Sequence, residues 1–412
     1  MQKVFVGMSG GVDSSVAAML LVQQGYDVTG VYMKNWSRDL PGMKCPWAED
    51  LADAKRVAVK LGIDFLVWDF EKEYREKVVE YMLDEFRKGN TPNPDIMCNQ
   101  EIKFKLFYEK AMAAGADFIA TGHYARVCKL SDYSRSAPRR SRLSTEVADP
   151  SSSRKNESVR SSLVSSGRLP QGERAKSRAA ALRNAPNREL SDRSSLLLRA
   201  VDENKDQTYF LYRMPQEALE HTLFPIGGML KPEVKKLAAE NGLHNAYKKE
   251  SMGVCFVGEV GMKDFLKEYI DIEPGEIREM ESERVLGYHE GAVFYTIGQR
   301  HGLYLDGEKG VVNDGMPYYV VKKDIENNIV YVSKNLNSRN LWTDELKLRD
   351  ILIRAEMPAK NVLVRLRHRA PLIPATFDGE TLWFDHEIKR PASGQSAVLY
   401  NDEICLGGGI IA

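Results

Sequence analysis

No stretch of the chain approaches the ~20 consecutive apolar residues needed to span a bilayer. The first apolar segment begins at Lys3 or Val4, which leaves no room ahead of it for a signal or transit peptide. Both points predict a cytoplasmic protein with no membrane partner. Cysteine is scarce: Cys45, Cys98, Cys128, Cys255 and Cys405, with no pair at Cys-x-x-Cys spacing. A zinc knuckle or iron–sulfur cluster is therefore not expected, and no metal-ligating set is predicted. An odd cysteine count in a reducing compartment implies thiols, some of them available for catalysis. Net charge is absent too, with 58 Lys+Arg against 58 Asp+Glu. Any surface for nucleic acid must then be local. The two familiar phosphate loops, Gly-x-x-x-x-Gly-Lys-Ser/Thr and Gly-x-Gly-x-x-Gly, do not occur, and there is no internal repeat.

What is present starts at Val4. An apolar strand, Val4-Phe5-Val6-Gly7, runs through Met8 into the turn Ser9-Gly10-Gly11-Val12. Asp13-Ser14-Ser15 then opens a helix. Adjacent glycines let backbone approach a ligand and align successive N–H groups. A helix N-terminus adds partial positive charge, and the hydroxyls of Ser9, Ser14 and Ser15 can donate to phosphate oxygens. The result is an anion cradle suited to pyrophosphate. The pattern Ser-Gly-Gly-x-Asp-Ser-Ser resembles the PP-loop of ATP pyrophosphatases, which use the AMP part of ATP to activate a carbonyl oxygen.

The first ~130 residues alternate strand and helix, the mark of a parallel sheet covered on both faces. Ligands in such sheets bind at the carboxyl ends of strands. The Ser-Gly-Gly turn, Met33 and the turn Thr121-Gly122-His123-Tyr124 all fall there. Residues 131–195 break the pattern, with 17 Ser and 12 Arg among 65 residues and no Ile, Phe or Trp. Such a composition cannot offset ordering entropy by burial, so this reads as a mostly disordered insertion with a little helix near Glu173–Leu182. A neutral surface insertion is favoured over a basic arm for RNA. Beyond ~Gly261 come short strands punctuated by Gly, Asn and Asp, among them Ala292–Ile297, Tyr318–Lys322 and Ile329–Ser333. More follow from ~Leu341. The expected order is α/β: a parallel-sheet PP-loop domain over 1–261, interrupted by 131–195, a small central β domain over 262–338, and a C-terminal β-barrel over 339–412.

Two cysteines stand in framed loops. Cys98 follows Thr91-Pro92-Asn93-Pro94-Asp95-Ile96-Met97, where two prolines stiffen the approach, and precedes a helix expected near Glu101. A thiolate at a helix N-terminus is stabilised by unpaired N–H groups. Asp95, three residues earlier, could share a substrate contact. Cys255 lies in Gly253-Val254-Cys255-Phe256-Val257-Gly258. Cys45, Cys128 and Cys405 read as inert thiols.

Together these segments resemble the tRNA-specific 2-thiouridylases. The likeness runs through the PP-loop, Met33-Lys34-Asn35-Trp36, Asn93-Pro94-Asp95 with Cys98-Asn99, and Ala120-Thr121-Gly122-His123-Tyr124. It continues through Lys205-Asp206-Gln207-Thr208, Gly253-Val254-Cys255-Phe256, Tyr295-Thr296-Ile297-Gly298-Gln299-Arg300 and Gly394-Gln395-Ser396-Ala397. Only about 130–195 falls outside it. The resemblance implies an adenine-nucleotide α-hydrolase-like fold and ATP-dependent 2-thiolation of the wobble uridine of Lys, Glu and Gln tRNAs. ATP with Mg²⁺ would lie on Gly7, Met8, Ser9, Gly10, Gly11, Val12, Asp13 and Ser14, with Met33 near adenine and Gly122 also against the nucleotide. Asp13 would help place the metal.

The same resemblance implies that Cys255 carries a persulfide received from a sulfur-donor protein, a cysteine desulfurase or sulfur-relay carrier. Cys98 would attack or resolve that persulfide, the pair ending as a disulfide. Asn93, Pro94 and Asp95 would contact the target base, with Asp95 a candidate proton acceptor. Further tRNA contacts implied are His123, Lys205, Asp206, Gln207, Arg367, His368 and Gln395. A monomer is expected. Another PP-loop synthetase would not need both cysteines. A catalytically silent tRNA-binding relative would not need the loop.

Overall fold

The computed structural model describes residues 1–39, 45, 47–136, 195–249, 262–303, 305, 316–355 and 360–412. The chain begins with β1 (Lys3–Gly7), β2 (Asp27–Lys34), β3 (Asp64–Asp69), β4 (Phe118–Thr121), β5 (Ala125–Lys129), β6 (Ser195–Arg199) and β7 (Thr222–Leu223). Five of these make a parallel sheet in the order β3-β2-β1-β4-β7. Side chains alternate across a strand. Val4 and Val6 therefore pack with the helix Val12–Gln23 and with Val57 and Val234 on one face. Phe5 packs with Trp68, Val78, Phe104 and Phe107 on the other. Trp68 lies on β3, and the others come from helical stretches spanning 71–87 and 94–113.

The residues Lys231–Asn241 before Gly242 read as a helix in sequence, and the helix runs Lys231–Glu240. The central sheet is β8 (Gly275–Glu279), β9 (Val285–His289), β10 (Tyr319–Asp324) and β11 (Ile329–Ser333), in the order β10-β11-β8-β9. Its own core holds Ile277, Leu286, Val320, Val330 and Val332. The expected strand Ala292–Ile297 is instead a short 3-10 turn, Ala292–Phe294, followed by a turn that the Gln299 side chain closes on Thr296 N–H at 3.0 Å. Local side-chain-to-backbone bonding overrode the apolar run.

Six antiparallel strands then close on themselves: β12 (Trp342–Ile353), β13 (Asn361–Arg365), β14 (Ile373–Phe377), β15 (Thr381–Lys389), β16 (Ser396–Asn401) and β17 (Ile404–Ile411). The ring order is β12-β15-β14-β13-β16-β17, with β17 returning to β12. Closure removes the exposed edges a small sheet would otherwise carry. β6 and β5 extend the same sheet from β17, so the first part of the chain contributes a hairpin to the barrel.

That hairpin is where residues 131–195 leave and return. Residues 137–194, including the expected helix near Glu173–Leu182, lie outside the described residues. The expected limits of the insertion are drawn too wide. Leu130–Ser136 is helical, with Tyr133 buried against Leu196, Leu198 and the barrel core. Ser195 already pairs with Lys129. Tyr133, with Leu130 beside it, anchors the departing chain to the barrel core.

Candidate active site

The PP-loop has its own hydrogen-bond skeleton. Ser14 Oγ accepts from Ser9 N–H at 3.2 Å and donates to the Gly11 carbonyl at 3.1 Å. Ser15 Oγ donates to the same carbonyl at 2.9 Å, and Asn245 Nδ2 donates to the Gly10 carbonyl at 2.9 Å. Gly10 has φ +76°, and a Cβ there would fall 2.3 Å from the Asp50 carbonyl oxygen. Only glycine fits. Met33, at the end of β2, packs against Gly7.

Asp13 is engaged by protein groups. Lys231 Nζ donates to its two carboxylate oxygens at 2.7 and 2.8 Å, and the Tyr124 hydroxyl donates to Oδ1 at 3.0 Å. In the structure Asp13 is therefore held in an ion pair beside the loop. Lys231 was missed in the sequence. It is the first residue of its helix, 218 positions from Asp13, and no local pattern links the two. Among the described residues no three His, Cys, Asp or Glu side chains group as metal ligands do.

The turn after β4 joins this loop to the second group of predicted residues. A Cβ on Gly122 would lie 2.5 Å from Ser14 N, so the turn sits directly on the start of the loop helix. His123 is buried, with Nδ1 2.7 Å from Thr121 Oγ1 and its ring 5.7 Å from Phe104 and 6.2 Å from Phe224. Burial, reinforced by Lys103, holds its pKa well below the ordinary imidazole value, so it is neutral at pH 7. Tyr124 N–H donates to Gln207 Oε1 at 2.9 Å, and Gln207 N–H returns to the Tyr124 carbonyl at 2.9 Å.

Cys98 is buried, and its placement corrects one expectation. The helix starts at Pro94, because Asn93 is extended and proline is preorganised for the first helical position. Cys98 N–H bonds back to the Asp95 and Pro94 carbonyls. The thiol therefore lies past the first turn, away from the unpaired N–H groups invoked for it. Asp95 occupies that first turn instead. Burial pushes its carboxyl above the ordinary aspartate value, with Lys103 opposing. Wide π-type turns follow over Cys98–Phe107, a distortion frequent at functional sites.

Around this helix the other predicted residues assemble. Asn99 Nδ2 donates to the Phe210 carbonyl at 3.2 Å, and the Phe210 ring lies 4.5 Å from the His368 ring. Burial, with Arg369 next in effect, lowers the His368 pKa to about 4. Arg367 beside it is exposed. Asp206 is fully covered: its Oδ2 pairs with Arg365 at 2.6 Å and its Oδ1 caps Ala200 and Thr208 N–H groups. Its side chain shapes the Lys205–Gln207 loop from within. Gln395 Nε2 donates to the Thr91 carbonyl at 3.0 Å, which ties the barrel to the approach to Asn93. Asn93 Oδ1, Asn99 Oδ1 and His368 Nδ1 are buried without a hydrogen-bond partner among the described residues. Cys255 lies outside the described residues. Burial raises the thiol pKa of Cys45 and Cys128, and that of Cys405 to about 12, in keeping with inert roles.

A phosphate-cradling loop at the carboxyl edge of a parallel sheet, followed by two β modules, defines a nucleotide-binding enzyme of the HUP class. Family models match along the chain: tRNA methyl transferase HUP domain over residues 2–179 and 175–259, tRNA methyl transferase PRC-barrel domain over 263–334, and aminomethyltransferase beta-barrel domain over 343–411. A Listeria innocua protein named tRNA-specific 2-thiouridylase MnmA is 40% identical over 417 residues, covering 99% of this chain and 94% of its own length. The Idiomarina loihiensis protein of the same name is 40% identical over 100% of this chain and 96% of its own. A Geobacillus kaustophilus protein named tRNA-specific 2-thiouridylase MnmA 2 is 39% identical over 99% and 94%. The chain belongs to the tRNA-specific 2-thiouridylase family and is a tRNA-modifying transferase.

Proposed function

We propose that this enzyme thiolates C2 of the wobble uridine of Lys, Glu and Gln tRNAs, consuming ATP and releasing AMP and pyrophosphate. One observation carries the reading: the Gly122–Tyr124 turn contacts the phosphate loop on one side and, through Phe104 and Gln207, the Cys98 helix and the Lys205–Gln207 loop on the other. This junction supports a reading in which an activating nucleotide and a tRNA base meet.

The loop fits a nucleotide's phosphates. Gly10 and Gly122 leave backbone close to the helix start, Ser9 and Ser14 offer hydroxyls, and Lys231 brings an ammonium to the loop at Asp13. ATP supplies the AMP that turns the C2 oxygen into a leaving group, with Mg²⁺ arriving on the phosphates. Asp95 is the proton acceptor for the base, its raised pKa keeping the proton exchangeable nearer neutrality. Asn93, Asn99 and His368 offer unpartnered polar atoms of the kind a polar base satisfies. Phe210 and His368 offer ring surface, and Arg367 a phosphate contact. An extruded base is how an enzyme reaches such an atom. Cys255 delivers persulfide sulfur from a donor protein, and Cys98 attacks or resolves it. The enzyme works as a cytoplasmic monomer.

The test is nucleoside mass spectrometry of unmodified tRNA incubated with enzyme, Mg-ATP and a persulfide donor, beside Cys255→Ser and Cys98→Ser. 2-Thiouridine with wild type alone supports the scheme. AMP without thiolated base overturns the sulfur assignment, and neither product overturns the reaction.

A further inference from the structure

Residues 88–93, between the helical stretch ending at Arg87 and the helix starting at Pro94, draw bonds from both β modules. Gly89 ends the preceding helix at φ +79°, and Asn90 returns its backbone N–H and its side chain to Glu85, each at 2.9 Å. From the central sheet, Lys323 Nζ donates to the Gly89 carbonyl at 2.6 Å. Ile325 packs so close that a Cβ on Gly89 would fall 2.5 Å from its Cγ1. From the barrel, the Ser393 carbonyl accepts Thr91 N–H at 2.8 Å, and Gln395 holds the Thr91 carbonyl. A Cβ on Gly394 would fall 2.9 Å from Asn90 Cβ. Pro92 and Pro94 then stiffen the four steps from Thr91 to Asp95.

We propose that Lys323 is a positioning residue: by holding the Gly89 carbonyl it sets where Asp95 and Cys98 stand against the target base. The central β domain thereby takes part in the reaction through the backbone of residues 89–95. The inference rests on the roles proposed above for Asp95 and Cys98.

The chemistry of the contact argues for position over stability. Lys323 brings a half-buried cation to one carbonyl, and partial burial lowers its pKa to about 8. A buried charge is a poor stabiliser compared with an apolar side chain of similar volume. An ammonium, however, fixes a carbonyl directionally, which an apolar side chain cannot do. Misplacing a reacting group by a fraction of an ångström costs rate, not affinity.

The experiment compares full-length wild type, Lys323→Met and Lys323→Arg in initial rates of 2-thiouridine formation, thermal unfolding, and hydrogen exchange over residues 89–98. Lys323→Met is expected to lower kcat about 10-fold, leave KM for tRNA and ATP within about twofold, and leave Tm within about 2 °C. Lys323→Arg is expected to recover kcat to within about threefold. Exchange over 89–98 quickens in Lys323→Met and not in Lys323→Arg. Unchanged kcat overturns the proposal. So does a kcat loss that tracks a fall in Tm without rescue by arginine. If wild type makes no 2-thiouridine, the functional reading fails. Exchange over 89–98 still judges the clamp, and an unchanged pattern there overturns it independently.

Discussion

Replacing Lys231 by methionine keeps most of the side chain's apolar stem and removes its charge. In the structure that charge answers Asp13, with the lysine side chain 8% exposed and the aspartate 29%. Removing one partner of a well-buried pair costs about 3–5 kcal/mol. Asp13 is partly open to water and keeps the Tyr124 hydroxyl, so the expected loss is smaller, about 2 kcal/mol. The double variant Asp13→Asn with Lys231→Met removes both charges and should come within about 1 kcal/mol of wild type. A double-mutant cycle from urea unfolding then gives a coupling energy of about 1.5 kcal/mol or more. Calorimetry of ATP binding adds the functional arm: on the proposed approach of Lys231 to the phosphates, its loss should weaken binding about 10-fold or more. The reasoning is refuted if Lys231→Met unfolds within about 0.5 kcal/mol of wild type, or if the two substitutions add.

Three more outcomes are expected. Arg365→Met removes the nearest cation from the covered Asp206 carboxylate, leaving Arg199 at 3.7 Å, and should cost about 3 kcal/mol in urea unfolding, with Asp206→Asn in the same chain recovering part of it. In its proposed role as acceptor, Asp95 must be ionised to work, so kcat should fall as pH drops through its raised pKa, an acid limb above the ordinary aspartate value; Asp95→Asn should lose the limb together with nearly all activity. His368 is held neutral, with its pKa depressed to about 4. Its neutral form is fully favourable above the unfolded value near 6.5, and the contribution is lost as pH falls from there toward 4. Wild type should therefore lose about 1 kcal/mol relative to His368→Gln between pH 6.5 and 4, after allowance for partial exposure. A constant difference between the two across that range would show the histidine carries no such penalty.

Most strands and the loop were legible because their signals are local. Val4–Gly7 is apolar throughout because a central parallel strand is buried on both faces, and Ser-Gly-Gly-x-Asp-Ser-Ser specifies a turn and a helix start within a few residues. Ile329–Ser333 matched its expected limits for the same reason. Long β12 was not delimited beforehand. Its burial is irregular and its register shifts twice, against β15 and against β17, so no clean alternation marks it. Cys98 was set at a helix start because Glu101-Ile102 looked like the first periodic turn, whereas Pro94 starts the helix earlier.

The sequence by itself determined the class of chemistry: which residues can hold phosphate, which thiols are framed by proline or glycine, and where the parallel sheet gives way to small β modules. These are matters of residue type and of neighbours within one turn. The tertiary structure alone decided the charges and the joints. Lys231 meets Asp13 across 218 positions, Arg365 meets Asp206 across 159, and Lys323 reaches Gly89 across 234. Each is a polar contact made where folding excludes water. There its strength depends on burial and on a partner that no local pattern announces.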